Sequence, residues 1–261
     1  MSENTRSFRF EPKGPSNGGL EQIFEITPDM IEHGSPVEHC HNYYTSPSGV
    51  LSAGVWECTP HQLKFGPYTV DEFMLVLDGS VSIVHEDGFE DTFRAGDAFV
   101  VPKGLPCSWK QTENVRKYYV IFDDPEGEMP EKPVADRAIR LSSHGPDGVG
   151  LKPVTLPDTS IFEGNPPEQQ DFTYFEDKTG QLYAGIWTCS PMRRKHLPFP
   201  RIELMCLLEG SMTLGEQDGT AHTFTAPDVL LETRGAITSW TSTETVRKYY
   251  CIFEESDKSD P

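Results

Sequence analysis

Two carboxylates stand where a protein could use them for proton transfer. Glu72 opens the apolar run Phe73-Met74-Leu75-Val76-Leu77, and Glu203 opens a closely similar run. A carboxyl group partly stripped of water is pushed above its usual pKa and can act as a general acid or base near neutral pH. Glu72 and Glu203 are therefore the candidate catalytic residues. They also have a structural reading, as anions held by Arg116 or by backbone amides that tie strands together. A third feature could bind metal. His39-Cys40-His41 is the sole His-x-His of the chain, and on a strand both imidazoles would face one side, as ligands must. With Glu72 they would form a displaced divalent-metal site. The competing reading is a pair of solvated loop histidines.

The two glutamates are one position written twice. At an offset of 131 residues Trp56 recurs as Trp187, Gly79 as Gly210, Asp97 as Asp228 and Trp109 as Trp240. The run Val115-Arg116-Lys117-Tyr118-Tyr119 returns as Val246-Arg247-Lys248-Tyr249-Tyr250. A period this long is a duplicated domain rather than a solenoid repeat. The expected boundaries are 8–122 for the first copy, 123–138 for an acidic, proline-rich linker, and 139–253 for the second copy.

The elements that must position these residues are strands. Short β-branched and aromatic runs such as Ser80-Val81-Ser82-Ile83-Val84 and Ala98-Phe99-Val100-Val101 are separated by turn signals at Asp78-Gly79, Asp87-Gly88 and Gly96-Asp97. This pattern means a sandwich or barrel in each copy. Strand alternation then predicts the pocket. If Glu72 points inward, so do Met74 and Val76, and on a later strand Cys107, Trp109 and Gln111. The second copy supplies Met205, Thr238, Trp240 and Ser242. One of Arg116 and Lys117 should face a solvated edge and the other a carboxylate, and Arg116 is taken as the ligand-binding partner. The second copy also carries Arg193-Arg194-Lys195-His196, a basic cluster in an acidic protein. It could attract an anionic substrate, with His196 at the pocket entrance, or form a salt-bridged surface turn.

Composition narrows the function. With 22 basic and 41 acidic residues, a net charge of −19, the chain repels nucleic acid and anionic membranes. No apolar run has membrane-spanning length and the first ten residues lack a signal-peptide core, so a soluble, cytoplasmic protein is expected. The six cysteines form no Cys-x-x-Cys pair, which suggests buried free thiols.

Glu72 with Gly79, and Glu203 with Gly210, have the spacing of the first cupin motif. Gly96, Pro102 and Gly104 match the second motif in copy one, and Gly235 alone does so in copy two. On these residues the chain resembles the RmlC-like cupin superfamily. The combination of Asp71-Glu72, Trp109 and Arg116-Lys117-Tyr118 is similar to the ethanolamine-utilisation-like and ureidoglycine-aminohydrolase-like cupins. The resemblance implies an all-β bicupin, two tandem jelly-roll barrels forming an intramolecular pseudo-dimer, and a setting in amine, ureide or carboxylate metabolism. Pairing into a homodimer is compatible with it.

A metal-binding cupin adds three histidines to the glutamate. In copy one those positions fall on Phe65 and Pro67, or Gly66 and Tyr68, and on Cys107. In copy two they fall on His196, Pro198 and Thr238. Neither copy keeps the set, so no cofactor is expected apart from the displaced site near His39, His41 and Glu72. The expected function is binding or converting a small polar metabolite in a barrel pocket. The alternatives are a metal-dependent aminohydrolase-like or oxygenase-like enzyme and a non-catalytic ligand-binding or scaffold protein.

Overall fold

Alternation along single strands builds the barrels. In Ser80–His85 the side chains of Val81, Ile83 and His85 are buried, while those between them are half-exposed. Asp71–Asp78 is instead buried from Asp71 to Val76, as a strand covered on both faces must be. The computed structural model describes residues 6–16, 18–123 and 128–255, so 124–127 of the expected linker lie outside the described residues. The described residues contain one three-residue 3-10 turn, Pro28–Met30, and otherwise strands and connections.

The chain separates into two compact units, Phe10–Arg140 and Leu141–Pro261, the latter joined by Met1–Arg9. The described part of the proline-rich segment is thus counted with the first unit. Arg137 pairs with Asp87 at 2.6 Å, which fastens it there, and just beyond it Arg140 pairs with Asp97 at 2.6 Å. Arg9 is fastened to the second unit, by an ion pair to Asp228.

In the N-terminal unit the central strand Asp71–Asp78 lies between Ala98–Val101 and Val115–Phe122, followed outward by Leu51–Cys58 and Glu38–Thr45. A second antiparallel sheet is built on Ser80–His85 and Pro106–Gln111. The core between the sheets contains Met74, Val76, Phe93, Phe99, Cys107 and Trp109. The C-terminal unit repeats the plan with Ile202–Glu209 at the centre, between Val229–Glu232 and Val246–Phe253. This is the tandem all-β barrel architecture that the motifs implied.

One pair of glycines recurs in both barrels for steric reasons. Gly79 turns the chain out of the central strand at φ +75°, where a side chain would collide with the Asn114 carbonyl. A Cβ at Gly54 would meet the His41 carbonyl and lie 2.6 Å from the Tyr119 hydroxyl. That tyrosine lies across the strand because Gly54 has no side chain. Gly210 and Gly185 do the same in the second barrel, the latter beneath Tyr250.

Candidate functional site

Each barrel encloses a cavity of about 550–560 Å³ whose floor is the same four residues. In the N-terminal barrel these are Glu72, Lys117, Trp56 and Trp109. Glu72 sits at the middle of the sheet, opposite Val101 on one side and Ile121 on the other. Lys117 is aimed inward by its register: it faces Trp56 on one neighbouring strand and Val76 on the other, on the face that carries Glu72, while Arg116 faces Glu57 and, across a bulge at Leu77, Asp78. The Lys117 Nζ donates to Glu72 Oε1 at 2.7 Å, and both residues are buried. The ammonium also lies 4.9 Å from the Trp56 ring and 4.5 Å from the Trp109 ring, which meet edge to face. Two indole faces and a carboxylate therefore replace the water that the ammonium has lost. The second Glu72 oxygen accepts from the Tyr68 hydroxyl. Burial, then the Glu72 charge, keep that phenol protonated far above its ordinary pKa.

The C-terminal floor is equivalent. Lys248 Nζ donates to Glu203 Oε1 at 2.7 Å and lies 4.7 and 4.6 Å from the Trp187 and Trp240 rings. Arg201 takes the role that Tyr68 has in the first barrel, its Nε donating to Glu203 Oε2 at 3.1 Å. Burial pushes the Glu203 carboxyl up, but Lys248 and Arg201 outweigh it and hold the group below its ordinary value. This corrects the expectation of a raised pKa at this position: two cations bonded to one carboxylate stabilise its charge. Glu203 is an ionised anchor at neutral pH.

A carboxyl group displaced toward neutrality is Glu232, which the sequence reading missed. It is fully buried one strand away from Glu203, paired with it in register. Burial raises its pKa to about 7, against the lowering effect of the Thr238 hydroxyl, Arg194 and the Trp240 indole. Thr238 Oγ1 and Trp240 Nε1 both donate to it. The signal was present in the duplication, because Glu232 occupies the position of Val101.

The remaining sequence-predicted residues divide between lining, support and surface. Trp109 and Trp240 line the cavities. Met74 lies beneath the ammonium, 3.1 Å from Lys117 Nζ, and Met205 and Cys107 are core. Gln111 accepts from the Trp109 indole at 2.8 Å and fixes that ring. Thr238 accepts from Arg194 at 3.1 Å. Arg116, expected to face the ligand, points to the other face and pairs with Glu57 at 2.6 Å, because the register with the neighbouring strands gives the inward position to Lys117. His196 is an exposed residue outside the cavity lining. Within its basic cluster only Arg194 enters the cavity.

The displaced metal site does not assemble. On Glu38–Thr45 it is Cys40 that lines the cavity with Glu72, so His39 and His41 fall on the opposite face. His39 lies 3.8 Å from Glu57, and His41 packs against Tyr43. Nor do the residues around Glu72 and Glu203 fit a cation: the floor carboxylates already accept from lysine ammonium groups, and ammonium cannot ligate a metal. Among the described residues no three His, Cys, Asp or Glu side chains are grouped to hold an ion.

The cavity walls differ. The N-terminal cavity is lined by four carboxylates, Glu21, Glu25, Glu38 and Glu72, against the single cation Lys117. Glu38 is buried and accepts from the Ile26 amide at 2.8 Å and the Trp56 indole at 3.2 Å. Glu25 stands at the mouth, its pKa raised by burial and by repulsion from Glu38 and Glu72. In the C-terminal barrel Glu25 and Glu38 become Leu156 and Gln169, while Leu63 and Val70 become Arg194 and Arg201. Three carboxylates there face three cations.

Comparison with known proteins agrees with this duplicated architecture. The model of the EutQ-like cupin domain matches the chain twice, over residues 45–119 and 176–250. A Pseudomonas syringae pv. tomato protein of unknown function from the DUF861 family superposes with a TM-score of 0.77, at 22% identity over 95% of this chain and 100% of its own. A candidate dioxygenase from Nostoc punctiforme gives 0.61, at 14% identity over 99% and 86%. The Escherichia coli protein YlbA, also of the DUF861 family, gives 0.54 at 11% identity over 99% and 95%. At these identities the likeness is one of fold. No curated protein matches the chain in sequence.

Proposed function

The chain belongs to the EutQ-like cupin family, and from that premise we propose that its N-terminal barrel binds a small, amine-bearing metabolite. One observation carries the reading: a cavity of about 560 Å³ with four carboxylates and one cation, where that cation is already bonded to Glu72. Glu25 and Glu38 are left without a cationic partner in the cavity. A ligand ammonium seated near them would relieve the repulsion from Glu38 and Glu72 that adds to burial in lifting Glu25. The walls suit such a guest, since Trp56, Tyr68 and Tyr119 offer aromatic surface around a few acceptors. In this reading the Glu72–Lys117 pair is the fixed floor of the site. The lysine ammonium supplies, from the chain itself, the positive charge that a metal ion supplies in metal-binding cupins.

The test uses the four tryptophans, because each indole N–H has one fixed acceptor. Trp56 donates to Glu38, Trp109 to Gln111, Trp187 to Gln169 and Trp240 to Glu232. Indole 15N–1H cross-peaks, assigned by single Trp→Phe variants, therefore report the two cavities separately. Titration with primary alkylamines of two to six carbons should shift the Trp56 and Trp109 peaks saturably. Glu25→Gln, at the exposed mouth, should weaken that binding at least threefold. Absence of a saturable shift across the series, or binding indifferent to Glu25→Gln, would refute the proposal.

A further inference from the structure

The C-terminal cavity has the same floor and opposite walls, and its Arg194 and Arg201 have no counterpart in the first barrel. We infer that this barrel is a second binding site, for a carboxylate-bearing ligand recognised by Arg194 and Arg201. The inference stands on the C-terminal barrel alone and holds whether or not the first barrel takes an amine.

The geometry leaves donors to spare at that position. Arg194 lines the cavity and donates through Nη2 to the Thr238 carbonyl at 3.0 Å and hydroxyl at 3.1 Å, while its Nε is buried with no hydrogen-bond partner. A guanidinium has five N–H donors and a fork that matches a carboxylate. Its plane lies over apolar surface, 5.4 Å from the Trp240 ring and 5.8 Å from Phe199. Trp240 holds Glu232 through its indole, so the guanidinium sits on a fixed platform. Arg201 stands at the mouth with its side chain about one-third exposed. It gives Nε to Glu203, and its Nη1 lies 3.8 Å from Glu254.

The anions already present leave both guanidinium groups with hydrogen-bonding capacity. Glu203 is bonded to Lys248 as well as to Arg201. Glu232 is occupied by Thr238 and Trp240 and lies behind the lining rather than on it. The remaining acids of the lining are Glu254, 3.8 Å from the Arg201 guanidinium, and Asp171, which takes the place of Cys40. A small dicarboxylate or amino-acid-sized anion is of a size with this cavity of about 550 Å³. Among the changes between the two barrels, Leu63 to Arg194 and Val70 to Arg201 put guanidinium groups at formerly apolar positions, and Glu25 to Leu156 and Glu38 to Gln169 remove repulsion. All four changes favour an anion.

The experiment is the same indole spectrum with succinate and acetate as probes. The Trp187 and Trp240 peaks should move saturably with succinate while the Trp56 and Trp109 peaks stay within error. Arg201→Gln should weaken succinate binding at least fivefold, and Arg194→Gln should do the same, with Arg194→Lys as the milder variant if Gln impairs folding. Glu25→Gln should leave succinate binding unchanged. The inference is overturned if succinate and acetate shift no peak up to 50 mM, a range set by the millimolar affinities of weak small-ligand sites. It is overturned equally if succinate moves the Trp56 and Trp109 peaks instead, or if both arginine variants bind as well as the parent. Amine binding in the first barrel is read from the other two peaks, so failure of one reading leaves the other legible.

Discussion

Replacing Glu232 by glutamine should make the protein more stable, and more so as the pH rises. The carboxyl is fully buried and titrates near 7 instead of 4.5. Its folded-state pKa is raised, so the folded protein holds the proton more tightly than the unfolded chain does. Stability therefore falls as pH climbs from 4.5 to 7, and the deficit is complete above 7. The interval corresponds to about 3 kcal/mol at 1.36 kcal/mol per pH unit. Glutamine mimics the protonated acid: its carbonyl can accept from Trp240 Nε1, and the Thr238 hydroxyl can turn to accept from its amide. Glu232→Gln should then gain about 3 kcal/mol at pH 8 and less than about 1 kcal/mol near pH 4.5. For a domain of this size that is roughly a 10 °C rise in the melting temperature of the C-terminal barrel at pH 8. Differential scanning calorimetry of parent and variant at the two pH values measures it. A variant destabilised equally at both, or a stability gap that does not grow with pH, would mean that the group ionises at little cost, and the argument from burial would fail.

Three further outcomes follow from the floor and the turns. Lys117→Met strands a buried carboxylate and should cost about 3–5 kcal/mol, whereas the double variant with Glu72→Gln should lose less than the two singles combined, as a denaturation cycle would reveal. Tyr68→Phe removes one donor to Glu72 and should cost about 1–3 kcal/mol, measured by urea midpoint; an unchanged midpoint would mean that Tyr68 does not hold the carboxylate. Arg116→Ala removes a half-exposed partner of Glu57 and should change stability by no more than about 1 kcal/mol, with alkylamine titrations unaltered.

Much of this was legible in the residues. The offset of 131 gave both barrels, and the Glu72–Gly79 spacing located the strand whose first inward residue anchors each cavity. Trp109 and Trp240 followed by alternation alone. Lys117 was the harder residue, because alternation says only that one of Arg116 and Lys117 faces inward. The choice is made by the register that sets Lys117 opposite Trp56 and Val76, a feature of pairing between strands distant in sequence. Alternation served well for His39 and His41, which do share a face, but the face in question depends on the register with Leu51–Cys58. Glu232 and Arg201 were visible in principle as charges written over Val101 and Val70. What made them informative was burial against a second charge, which no single strand discloses.

Cys40 gives the first cavity a chemical handle. Of the six free thiols five are buried, and Cys40 alone is partly exposed, on the wall of the N-terminal cavity beside Tyr119. Burial raises its pKa, so its thiolate is scarce at neutral pH and its alkylation should be slow and accelerate with alkalinity. Reagents of graded width would then gauge the aperture of that barrel from the outside. A guest seated inside would announce itself as a thiol that has stopped reacting.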